Sequence, residues 1–247
     1  MPYDALFLDK KTHFRGPDLT VGHEIFESML FERSGRREAR NFLKLARECS
    51  RFVDLGASGG FFSALFAATR QSSHILSVEP DPSSFSALRS TRDKNLRPGI
   101  RWDCEARGVG AEEGTTRVYL TGYGLGIIPA NGQANGSSFD MRTATLEALC
   151  EEHGIAPELI KFDLESMEYE IIQQSAEYLR KCRPRLHLEL HTPMIRSRGK
   201  DETQVLTLLY DIGYRLYDAP DHSFARLRRA APETEIARLD LTAARFP

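Results

Sequence analysis

The chain has 247 residues, 41% of them hydrophobic and 28% charged, the balance of a folded globular domain and not of a disordered or fibrous chain. Its 33 Lys and Arg are set against 35 Asp and Glu, a formal charge of −2 that supplies no positive field for nucleic acid. No apolar run approaches the roughly 18–20 residues that span a bilayer, and the opening MPYDALFLDKK lacks the basic-then-apolar layout of a secretory signal. A cytoplasmic protein is expected, with neither nucleic acid nor membrane as partner.

Along the chain, residues 1–50 form a helical extension: Val21, Ile25, Phe26, Met29 and Leu30 recur at helical spacing, followed by Phe42, Leu43 and Ala46. From Arg51 to the end at 247, short apolar runs (RFVDL, ILSVE, IRWDC, LIKFD, RLHLEL) alternate with helix-like stretches at Phe61–Thr69, Ser83–Asn95 and Glu168–Leu179. This alternation predicts a doubly wound α/β sheet, mostly parallel, with helices on both faces. Residues 107–146 interrupt the rhythm with RVYL and SFDMRTATL around a glycine-rich loop at 121–137, which reads as a hairpin insertion. Later, QVLTLLYDIG reads as a helix capped by Gly213, and YRLYD and EIARLDL as two closing strands. The four cysteines, Cys49, Cys104, Cys150 and Cys182, are scattered without a CxxC pair, as buried thiols would be.

The most informative segment is Phe52-Val53-Asp54-Leu55-Gly56-Ala57-Ser58-Gly59-Gly60-Phe61-Phe62, a strand running through a glycine turn into a helix. In such folds this turn builds a cofactor pocket, and Gly56 and Gly60 leave room for close approach. Ser58 breaks the G-x-G-x-x-G fingerprint of dinucleotide sites. Asp54, just before the turn, would repel a pyrophosphate but attract the sulfonium and ammonium of S-adenosylmethionine. Glu79, 25 positions later at the next strand end, is placed to accept the hydroxyls of an adenosine ribose. A short-chain dehydrogenase would need Tyr-x-x-x-Lys, which is missing.

Asp163 and Glu165 lie at the end of LIKFD, facing the crevice, whereas Glu168 reads as a helix-start acid. In Leu186–His191 strict alternation puts His187, Glu189 and His191 on one face. An extended strand rises about 3.3 Å per residue, so His187 and His191 are roughly 13 Å apart and cannot share one metal ion. His187 reads as a buried polar group, and Glu189 and His191 as site candidates. Transfer to a hydroxyl needs a base or a divalent ion to take its proton, which makes Asp163, Glu165, Glu189 and His191 the catalytic candidates.

Four ordered motifs (VDLGASGGFFS; SVEPDPSSFSALRSTRDKN; TLEALCEEHGIAPELIKFDLESMEYEIIQQSAEYL; LHLELH with DIGYRLYD) make residues 50–218 resemble the FkbM-type methyltransferases, enzymes that use S-adenosylmethionine to O-methylate sugar or polyketide-like products. The resemblance implies a class I methyltransferase (Rossmann-like) fold with a seven-strand sheet. It places Asp54, Gly56, Ala57 and Gly60 at the methionine side of the cofactor, Glu79 at its ribose, and Cys104, Glu105 and Ala106 near its adenine, with Ser58, Pro80 and Asp81 also among the cofactor-binding residues. The family has Asn where this chain has Ser58, and a Val-Glu-Gly turn where it has Leu164-Glu165-Ser166. Some relatives use magnesium held by acids at these strand ends. The expected partner is a small hydroxylated acceptor. Alternatives are a non-catalytic S-adenosylmethionine-binding module and an NAD(P)-dependent Rossmann oxidoreductase. Oligomeric state, a homo-oligomer included, has no signature in the sequence.

Overall fold

A computed structural model of the protein describes residues 33–121, 124–127, 138–190, 195–196, 198–218 and 224–229. Helix α1 (Arg33–Leu45) leads into β1 (Arg51–Leu55), α2 (Phe61–Ala68), β2 (Ser73–Val78), α3 (Pro82–Asn95) and β3 (Ile100–Glu105). Four strands follow: β4 (Gly108–Val109), β5 (Gly114–Thr121), β6 (Gly124–Ile127) and β7 (Ser138–Ala144). The chain then returns through α4 (Leu146–Glu152), β8 (Leu159–Phe162), α5 (Glu168–Gln174), α6 (Ala176–Cys182), β9 (Arg185–Glu189), α7 (Glu202–Asp211), β10 (Tyr214–Asp218) and β11 (Phe224–Arg229).

The main sheet has the order β10-β11-β9-β8-β1-β2-β3. Winding starts at β1, runs outward to β3, and then crosses to β8 on the other side of β1. That reversal opens a crevice at the carboxyl ends of β1 and β8. Alternation along the strands divides the interior into two cores. Val53, Leu55, Leu76, Val78, Ile160 and Phe162 pack with α4–α7, while Phe52, Ile75, Leu159, Ile100 and Trp102 pack with α1–α3. Helices therefore cover both faces, as the fold class requires. Asp81 starts α3 by accepting the Ser84 N–H at 2.7 Å, with Pro82 at the first helical position. Gly213, at φ +93°, ends α7.

The main sheet has the expected seven strands and is mostly parallel: β3, β2, β1, β8 and β9 pair in parallel, whereas β11 pairs antiparallel with both β9 and β10. Other expectations are corrected. The second closing strand is Phe224–Arg229; the EIARLDL segment lies outside the described residues, as do residues 1–32 and most of the 121–137 loop. The insertion is a four-stranded sheet of order β4-β7-β5-β6 instead of a hairpin. The stretch from Glu168 breaks into α5 and α6 at Ser175. No helix among the described residues is long and apolar enough to cross a membrane.

Candidate functional site

The glycine turn is shaped by the neighbouring chain. Gly56 has φ +72°, and a Cβ there would stand 1.9 Å from the Asp163 carbonyl oxygen. Gly60 has φ +85°, and a Cβ there would stand 2.8 Å from Leu88 Cδ1 of α3. Both glycines are thus explained by close approach of β8 and α3 and by left-handed backbone. The expectation that they make room for a cofactor is corrected to that extent, although Gly56 also lines the cavity beside the turn. The N–H groups of Gly56 and Ala57 both donate to the Val78 carbonyl at 3.0 Å, which pins the turn to the end of β2. Ala57 and Gly60 are absent from the cavity wall.

That cavity, of about 210 Å³, is lined by the turn at Gly56 and Ser58, by Val78–Asp81 and Ser84, by Gly108, Val109, Val118 and Met141 of the inserted sheet, and by Asp163–Glu165 and Met167. Among the described residues its wall carries four carboxylates, Glu79, Asp81, Asp163 and Glu165, and no Lys or Arg. Glu79 is buried, with Oε2 accepting the Ser58 N–H at 2.7 Å and Oε1 the Asp81 N–H at 2.9 Å. Burial pushes its carboxyl up to about 7 despite those two bonds. Each oxygen keeps a second lone pair for a ligand hydroxyl. Glu165 and Ser166 form the turn after β8 in left-handed conformation, φ +49° and +85°. Glu168 Oε1 accepts the N–H groups of Leu164 and Ser166 at 3.1 and 3.4 Å, so the expected helix-start acid also closes this turn.

Asp54 is placed differently from the expectation. It is fully buried and does not line the cavity. Its Oδ2 accepts from Ser63 Oγ at 2.6 Å, and its Oδ1, 3.8 Å from Lys161 Nζ, has no hydrogen-bond donor among the described residues. Burial raises its carboxyl, while Lys161 and Ser63 oppose the rise. Asp54 therefore organises the interior below the turn, and the negative lining comes from other acids. Glu105 is likewise engaged elsewhere, by Arg107 at 3.1 Å and His153 at 3.3 Å, and neither it, Cys104 nor the exposed Ala106 borders the cavity. Pro80 and Asp81 do border it. His187 is buried between the Phe42 and Phe62 rings with Nε2 3.5 Å from Glu38 Oε1, as the buried-polar reading expects. Glu189 ends β9 but is not on the cavity wall, and His191 lies outside the described residues.

The sequence reading overlooked Lys161 and Glu38. The pairings Asp54↔Ser77, Asp54↔Lys161 and Lys161↔His187 set four polar side chains in one row across β2, β1, β8 and β9. Ser63 of α2 and Glu38 of α1 close over that row. A lysine inside the apolar run LIKF was the available signal, because buried lysines are almost always paired. Lys161 is 2% exposed and donates to Asp163 Oδ2 at 2.8 Å and to the Gly56 carbonyl at 3.2 Å. Burial alone would lower its pKa, but Asp163 and Asp54 outweigh burial and raise it, so it stays charged.

A winding reversal, a glycine turn and a buried acid at the β2 end define a Rossmann-like α/β domain. The Methyltransferase FkbM domain matches residues 54–216. The chain belongs to this family of methyltransferases. A search of curated proteins gives no match. Among solved structures, the chain is similar to the methyltransferase FkbM of Methylobacillus flagellatus KT, with 18% identity, TM-score 0.48, and coverage of 72% of this chain and 43% of that one. It thus spans less than half the length of that relative. It is also similar to a precorrin-6y C5,15-methyltransferase from Geobacter metallireducens GS-15, with 13% identity, TM-score 0.48 and coverage of 86% and 94%. A third likeness is to a SAM-dependent O-methyltransferase from Thermotoga maritima, with 12% identity, TM-score 0.44 and coverage of 80% and 66%. The family assignment rests on the matched domain.

Proposed function

We propose that the protein is an S-adenosylmethionine-dependent methyltransferase acting on a hydroxyl of a small molecule of sugar or polyketide type. The observation that carries the choice of cofactor is the cavity wall, which among the described residues has four carboxylates and no Lys or Arg. A phosphate-bearing nucleotide would meet net repulsion from these acids, even with Asp163 paired to Lys161, whereas a sulfonium and an ammonium are attracted. The residues fit the group: Glu79 would accept the ribose hydroxyls, and the Gly56–Ser58 backbone and Asp163 would line its charged end. When bound, it supplies an electrophilic methyl for in-line displacement. The chain must then hold the acceptor in line and take its proton. Asp163 and Glu165 are the candidates on the cavity wall. Lys161 donates to Asp163, which stabilises the carboxylate and weakens it as a base, and Glu165 is the second candidate for taking the proton. Among the described residues no group of three or more His, Cys, Asp or Glu could hold a metal, so the expected magnesium gains no support and no step runs through it.

Calorimetry of the purified protein with S-adenosylhomocysteine and with NAD(H) tests the reading. Binding of the former alone is expected, and Glu79→Gln should weaken it roughly 10–100-fold, the range of one or two charge-assisted hydrogen bonds. Binding of NAD(H) alone would overturn the proposal. Tight cofactor binding without methylation of any compound in a panel of hydroxylated acceptors would favour the non-catalytic module.

A further inference from the structure

We infer that Lys161, itself sealed off from the cavity, is a positioning residue that fixes the Gly56 carbonyl and the Asp163 carboxylate as the receptor for the aminoacyl end of the cofactor. The inference rests on the cofactor reading above. Its basis is the direction in which the cavity runs. Glu79 follows β2 and Asp163 follows β8, on opposite sides of β1, so two strand spacings, about 10 Å, separate the two acids. A nucleoside whose ribose is held at Glu79 has two ways to lie. Toward the inserted sheet the wall is apolar: Val109, Val118 and Met141. Toward β8 the wall carries Gly56 and the acids Asp163 and Glu165, beside Leu164 and Met167. The flat base belongs with the apolar wall, and an ammonium-bearing tail with the acceptors at β8.

Lys161 Nζ bonds to two of those acceptors, Gly56 O at 3.2 Å and Asp163 Oδ2 at 2.8 Å. The lysine cannot wander. It is 2% exposed, its ammonium is 5.4 Å from the centroid of the Phe62 ring, and Asp54 Oδ1 stands 3.8 Å away. One buried ammonium therefore ties the ends of β1 and β8 together at the cavity and offsets charge that Asp54 and Asp163 would otherwise bring together. Glu79 takes its hydrogen bonds from the Ser58 and Asp81 N–H groups and, among the described residues, none from Lys161.

The test compares two ligands by calorimetry in the full-length protein. S-Adenosylhomocysteine has the aminoacyl tail, and 5′-methylthioadenosine lacks it. Lys161→Met should weaken the first at least tenfold and leave the second within twofold, because Glu79 and the apolar wall are unchanged. Equal losses for both ligands would reduce Lys161 to general structural support, and no loss for either would remove its role; each result overturns the inference while leaving the cofactor reading intact. If wild type binds neither ligand, the cofactor reading fails and the inference falls with it. Because Lys161→Met takes the ammonium away from the buried Asp54 carboxylate, the double variant Asp54→Asn, Lys161→Met carries the same comparison should the single one not fold.

Discussion

Ser166 stands where the family has glycine, and its backbone shows why glycine is favoured: φ is +85° and the residue is buried in the turn after β8. A left-handed backbone costs a residue with a Cβ about 1–2 kcal/mol. Glycine returns about 0.5–1 kcal/mol of that through its larger loss of freedom on folding. Ser166→Gly is therefore expected to stabilise the protein by about 0.5–1 kcal/mol, a rise in melting temperature of roughly 1–4 °C for a chain of this size. The bond from the Ser166 N–H to Glu168 survives the change, so the turn keeps its shape. Ser166→Ala is the control: it removes the hydroxyl but keeps the φ penalty, and should give no rise. The assay is thermal unfolding of the three proteins side by side. A rise for alanine equal to that for glycine, or a fall for glycine, would refute the assignment of strain to the backbone.

Two further outcomes concern the same region. Gly56→Ala should destabilise by about 3 kcal/mol or more, because backbone must move to admit a Cβ; Gly213→Ala, also at positive φ but with nothing within 4 Å, carries the φ penalty alone. Equal losses in denaturant unfolding would contradict the close approach at Gly56. Burial pushes the Glu38 carboxyl up to about 8, against the pull of Lys161, so the folded state holds a proton that the unfolded chain releases near 4.5. This contribution to stability is complete below pH 4.5 and is lost as pH rises through 8, with a slope of up to about 1.4 kcal/mol per pH unit. Glu38→Gln should flatten the fall in stability between pH 5 and 8, leaving the same-signed part due to Glu79; identical slopes in variant and wild type would count against a buried protonated Glu38.

The parallel strands were legible because each is a short apolar run between helix-like stretches, and the acidic tip of β2 was legible because Glu79 ends such a run just before Asp81-Pro82 opens a helix. The inserted sheet was legible only as an interruption, since its pairing of β4 with β7 joins residues more than 30 positions apart. Asp54 was misread for a physical reason. Position at a strand end says that a side chain is near the crevice, but alternation decides which face it takes, and Asp54 falls on the face covered by α2, where Ser63 receives it.

The buried polar row shows where reading strand by strand stops. Each of FVDL, ILSV, IKF and LHL carries one polar residue in an apolar run, and each alone is a minor exception that a neighbouring hydroxyl or water could satisfy. Only register makes Ser77, Asp54, Lys161 and His187 neighbours on one face. A one-residue slip of β8 would turn Lys161 into the opposite apolar core and leave Asp54 buried without a cation. The row thus penalises wrong register at β1 and β8, the two strands whose ends form the cavity. The same ion pairs that select the pairing also fix Asp163 and the Gly56 carbonyl at its edge, so the accuracy of the site is set in the interior below it.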